Sequence, residues 1–143
     1  MAITPQQERE LLNAMQDYVD TTKRADKYIK DLNEYRDLSG KIAIEISQIR
    51  HMSVSQARSY IDGKTGKFKP GIGMTICPSD KIQGLFNQLE SVTTDINRCS
   101  WTTKEAALRD VADKKNKVES MAAKLKSQSD YTTVISRVKS QVR

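Results

Sequence analysis

Between Met15 and Ile49 the apolar side chains recur at three- and four-residue intervals, the spacing that keeps one stripe of an α-helix turned towards a partner. Met15, Tyr18, Thr22, Ala25, Ile29 and Leu32 form one heptad seam, and Tyr35, Leu38, Ile42, Ile46 and Ile49 continue it after a three-residue skip that re-aims it. Thr4, Pro5 and Gln7 supply the start, as N-cap, first helical proline and a glutamine that reaches back to the cap. Gly40 marks a candidate kink, although one glycine costs only about 1 kcal/mol against alanine. Unbroken to Arg50, such a helix would be roughly 70 Å long at ~1.5 Å per residue.

The same spacing returns twice. Ser79 offers an N-cap to a helix carrying Ile82, Leu85, Phe86, Leu89, Val92 and Ile96 on one face. Thr102 and Glu105 form a capping box ahead of Leu108, Val111, Val118, Ala122 and Leu125, with Lys115 as an interruption. Two shorter pieces are expected, one capped by Ser53 with Gln56 and one along Tyr131, Val134, Ile135, Val138 and Val142, after a weak break at 127–130. Residues 62–79 hold four of the six glycines and two of the three prolines and therefore form the one clear loop, or alternatively hold a short extended segment or hairpin over 68–76 that turns at Pro70-Gly71. The expected fold is all-α: a single domain over 1–143, built as an elongated antiparallel bundle of three long helices with shorter additions. At 143 residues the chain can bury a core without metals or disulfides.

No apolar run reaches the ~18 residues of a membrane span, and the first ten residues lack the basic and apolar regions of a secretion signal. The chain thus reads as cytosolic as written, or as the mature part of an exported protein whose leader has been removed. Cys77 and Cys99 bear on that choice. On one straight helix they lie roughly 30 Å apart at ~1.5 Å per residue, beyond the ~7 Å that a disulfide tolerates. Either they are two separate reduced thiols, or the segment folds back near Ser91–Thr94 into a hairpin clipped by a bridge. Two cysteines and the single His51 do not make a structural zinc set.

The motifs of common enzyme chemistries are missing from the sequence: no phosphate loop, dinucleotide fingerprint, HExxH or nucleophile elbow is present. GKTGK at 63–67 lacks the upstream glycine and the following helix of a phosphate loop, since Arg58 stands where that glycine belongs. It reads as a turn carrying lysines. His51 reads as a helix-end residue. The expectation is a non-enzymatic structural or adaptor protein, without cofactor, metal or small-molecule substrate, that works through helical faces on a protein partner or on copies of itself. A subunit of a surface or secretion assembly is one form of that reading. Its partner-binding candidates are Lys64, Lys67, Phe68 and Lys69 on the loop and Trp101, the sole tryptophan, which otherwise staples against Ala106 or Ala107.

Charge supplies the alternative. The formal net charge is +6, and residues 104–143 hold ten Lys/Arg against five Asp/Glu. Arg109, Lys114, Lys115, Lys117, Lys124 and Lys126 could neutralise phosphates, which makes a nucleic-acid-binding or packaging protein the rival reading, with the 64–69 loop as a second contact. Asp110, Asp113 and Glu119 among them, and the lack of interleaved aromatics, weigh against it.

Overall fold

The structure is a computed structural model that describes residues 1–69 and 80–143. It is an all-α helical bundle of five helices: α1 (Pro5–Arg50), α2 (Val54–Arg58), α3 (Asp80–Arg98), α4 (Lys104–Leu125) and α5 (Tyr131–Gln141). The three long helices and two short ones match the expectation. α1 passes through Gly40 without a break, because a β-carbon there would meet only the end of the Arg58 side chain, at 3.8 Å, and nothing forces the backbone aside. The chain gathers into two compact units, Met1–Lys27 with Trp101–Arg143, and Tyr28–Ser100.

In the first unit, α1 begins with the reciprocal capping box its sequence calls for. The Gln7 amide donates to Thr4 Oγ1 at 3.1 Å, and the Thr4 amide donates to Gln7 Oε1 at 2.9 Å. α4 lies antiparallel to this half of α1: Arg24 stacks over the Trp101 ring at its start, Lys114 pairs with Asp17 at 3.1 Å, and its last residue, Leu125, joins Ile3 and Leu11 in the core. α5 runs alongside α1 in the same direction, from the Ile3 amide on Asp130 Oδ1 at 2.9 Å to the Arg143 amide on Gln16 Oε1 at 2.9 Å. Val134 and Val138 of α5 complete the core, each such buried side chain contributing about 1.5–3 kcal/mol.

Two expectations shift by one residue here. The cap of α4 is Thr103, whose hydroxyl accepts from the Ala106 amide at 3.1 Å, not Thr102. The buried edge of α4 accordingly begins at Ala107, and Leu108 is 48% exposed. On α1 ahead of Leu38, Leu11, Ala14, Thr21, Ala25, Tyr28 and Asp31 are the buried positions, while Met15, Thr22, Ile29 and Leu32 are half-buried on the flank. From Leu38 through Ile42 to Ile46 the expected stripe is buried as read.

The second unit is organised around that stripe. Ile42, Ala43 and Ile46 of α1 meet Ile82, Phe86, Leu89 and Val92 of α3, with Ala57 of α2 closing the cluster. α3 starts beside the end of α1, where Lys81 pairs with Glu45 at 2.7 Å, and runs back along it. α1 stops at a left-handed residue, His51 (φ 53°), after which the Met52 amide donates to the Ser47 carbonyl at 3.1 Å, the bond that closes a Schellman end. Ser53 then caps α2 by accepting from the Gln56 amide. Among the described residues no buried side-chain nitrogen or oxygen lacks a partner, and no helix is long and apolar enough to cross a membrane.

Candidate functional site: an apolar groove beside a basic hairpin

Residues 60–69 form a tight hairpin. The Lys69 amide donates to the Tyr60 carbonyl at 2.7 Å, the Asp62 amide to Lys67 at 2.9 Å and the Gly66 amide to Asp62 at 2.8 Å, with Ile61 opposite Phe68. Asp62 Oδ1 accepts the Lys64 amide at 2.8 Å, the side-chain turn that aspartate favours. GKTGK is therefore a turn, and Lys67–Lys69 after it pair back onto Tyr60–Asp62 instead of starting a helix. The expected loop over 62–79 is described only to Lys69; the Ser79 cap and the rest of the loop lie outside the described residues.

The hairpin is held on α3 by several kinds of contact. Gly66 takes φ +72°, and a β-carbon there would sit 2.5 Å from Thr93 Oγ1 and 2.9 Å from the Leu89 carbonyl oxygen, so only glycine permits this approach. Asn97 Nδ2 donates to the Lys64 carbonyl at 2.7 Å. The Phe68 ring stands edge-on to Phe86 at 5.9 Å and stacks on Tyr60 at 6.2 Å. At the hairpin's base, burial and the nearby Asp62 carboxylate raise the Tyr35 phenol above its ordinary value.

This seating opens a groove of about 250 Å³, walled by Ile46 and Ile49 of α1, Ile82 and Phe86 of α3, and Phe68 of the hairpin. Ile49 extends the buried stripe by one turn, yet it is 44% exposed. The rim carries Arg50, Lys67 and Glu90, with Lys67 Nζ 3.6 Å from the Glu90 carboxylate. Neither Lys64 nor Lys69 forms an ion pair among the described residues. The volume falls below the ~300–1,000 Å³ of small-molecule sites and suits one or two apolar side chains. Among the described residues no histidine, cysteine or hydroxyl nucleophile lines it, and no group of three or more His, Cys, Asp or Glu gathers to hold a metal.

The other sequence candidates lie elsewhere. Lys64, Lys67, Phe68 and Lys69 come together on the hairpin, but Trp101 belongs to the first unit. There its indole N–H donates to Asp110 Oδ2 at 3.1 Å and its ring carries Arg24 at 5.5 Å. Lys114 is tied to Asp17. Lys117 and Lys124, seven positions apart, share a flank of α4 beside Glu10, and Lys115 projects ~200° from Lys117 around the helix. Arg109 is exposed. Cys99 is a free, half-buried thiol with its sulfur 3.7 Å from the Asp95 carbonyl oxygen, while Cys77 lies outside the described residues. The fold-back that a bridge between them required does not occur: α3 runs unbroken through Ser91–Thr94, and the Thr93 and Thr94 hydroxyls bond to carbonyls one turn back instead of breaking the helix.

Comparison of the chain with family models, with curated proteins and with solved structures found no match.

Proposed function

We propose that this protein is a non-enzymatic adaptor or structural subunit that grips a partner protein in the groove of its second unit. The observation that carries this reading is the apolar stripe of α1 outrunning its cover: Leu38, Ile42 and Ile46 are buried, and Ile49, next on the same face, opens onto Phe68, Ile82 and Phe86. An uncovered continuation of a core stripe, rimmed by charge, is the usual form of a protein contact. The nucleic-acid reading has less support, because the flank of α4 shared by Lys114, Lys117 and Lys124 also carries carboxylates of α1: Lys114 is paired with Asp17, and Lys117 and Lys124 each lie beside Glu10.

The test is a photo-crosslinking amino acid placed at Ile49, with the same residue at Ile44 as control. Ile44 is 46% exposed but lies two and five positions from Ile46 and Ile49, on a different side of α1. Expected is a crosslink to one protein, identified by mass spectrometry, from position 49 and not from position 44. That protein, purified, should bind the intact chain and lose binding to Ile49→Asp. Equal crosslinking from both positions, or none from position 49, contradicts the reading.

A further inference from the structure

We infer that the first unit pairs with a second copy of this chain across the open channel between α1 and α4, the acidic wall of each copy meeting the lysine wall of the other. The channel holds about 480 Å³ beside Glu10, Asp17, Lys117 and Met121, and a smaller pocket of about 160 Å³ continues it at Lys124 and Leu125. Ala14, Met121 and Leu125 are its apolar floor. α5 does not cover it, being held by Glu8 and Gln16, each two positions and therefore about 200° around α1 from Glu10 and Ala14. Among the lining residues the carboxylates come from α1 and the ammonium groups from α4. Lys114 holds Asp17 at 3.1 Å, but Glu10, Lys117 and Lys124 form no ion pair among the described residues.

Walls of opposite sign select the occupant. A partner of one sign gains on one wall and meets repulsion on the other, whereas this face carries both signs and can meet itself with the walls exchanged. In a two-fold contact the axis lies in the plane of contact. An axis along the channel keeps every residue at its own level and exchanges the walls, so α1 faces α4 of the other copy, and Glu10 meets Lys117 and Lys124, the lysines it lies level with. An axis across the channel would set α1 on α1 and acid on acid. The first arrangement is a four-helix bundle with every neighbour antiparallel, its register fixed by charge over the floor of Ala14, Met121 and Leu125.

The experiment is sedimentation equilibrium of the full chain and two charge-swapped variants, Glu10→Lys and Lys117→Glu/Lys124→Glu. All three positions are exposed, and circular dichroism checks that the folds are kept. At about 50 mM salt the parent should approach twice its 16.2 kDa as concentration rises, with a dissociation constant at least about tenfold tighter than at about 300 mM salt. Each variant carries one sign on both walls and should stay a monomer by itself. Mixed in equal amounts, the two variants should form a heterodimer, because the lysine-bearing walls of one then face the acidic walls of the other. A parent that stays monomeric at low salt overturns the inference. So does a dimer that survives in both variants, or one that Ile49→Asp abolishes, since either places the contact elsewhere. The crosslink from position 49 concerns the other unit and judges the partner reading separately.

Discussion

Gly66 rests on Thr93. A β-carbon at Gly66 would lie 2.5 Å from the Thr93 hydroxyl oxygen and 2.9 Å from the Leu89 carbonyl oxygen, which are the two ends of one 2.7 Å hydrogen bond inside α3. The hairpin therefore docks on helix backbone, and Phe68 reaches the groove only because that docking holds. Gly66→Ala adds a left-handed penalty of about 1–2 kcal/mol to an overpacking cost of about 1–3 kcal/mol. Urea denaturation should show a loss of about 2–5 kcal/mol; an unchanged midpoint would mean the hairpin does not sit there.

His51 ends α1 at φ 53°, where glycine carries no steric cost. Relief of the left-handed strain exceeds the entropy that glycine loses on folding, so His51→Gly should stabilise by about 0.5–1 kcal/mol. His51→Val, β-branched at the same angle, should destabilise. Thermal unfolding of the two variants beside the parent checks the opposite signs.

The register of α4 is open to a paired truncation. Leu125 is 6% exposed and Leu108 is 48% exposed. Leu125→Ala should cost about 2–5 kcal/mol, and Leu108→Ala less than about 0.5 kcal/mol. Similar costs at both positions would restore the heptad face read from spacing.

That one-residue shift shows where sequence reasoning reached its limit. The helices were legible because three-and-four spacing and caps such as Thr4 with Gln7 act locally. Which of two adjacent candidates faces inward was not: Ala14 and Met15, Thr21 and Thr22, Tyr28 and Ile29 each offer two plausible positions about 100° apart, and the helix opposite decides between them. Thr102 and Thr103 posed the same choice for a cap. At the candidate site, the hairpin lysines and Phe68 could be singled out as a group. The exposure of Ile49 could not, because it depends on where α3 and the hairpin stop covering α1, and Gly66 read only as a turn residue until its contact with a helix distant in sequence was seen.

Glu8 and Arg137 tie α1 to α5 through two hydrogen bonds, one of 3.0 Å from Nη2 to Oε2 and one from Nε to Oε1. The bonded guanidinium holds the Glu8 carboxyl below its ordinary value. A lowered folded-state value stabilises the fold above the ordinary glutamate range of about 4.3, and that contribution is lost as pH falls through the folded value. Glu8→Gln should therefore lower the unfolding midpoint near neutral pH, and the difference from the parent should shrink as pH falls below the ordinary glutamate range. A gap that persists there would point to packing instead of the ion pair.

The groove itself is tested most directly by methyl NMR on isoleucine-labelled full-length chain titrated with the purified protein that crosslinks from position 49. Ile46, Ile49 and Ile82 line the groove, whereas Ile44 lies on another side of α1 and Ile3 and Ile135 belong to the other unit. The account predicts that the Ile46, Ile49 and Ile82 methyl signals move together and saturate while those of Ile3, Ile44 and Ile135 stay in place. Shifts at Ile44, Ile3 or Ile135 with none at Ile49 and Ile82 would contradict it.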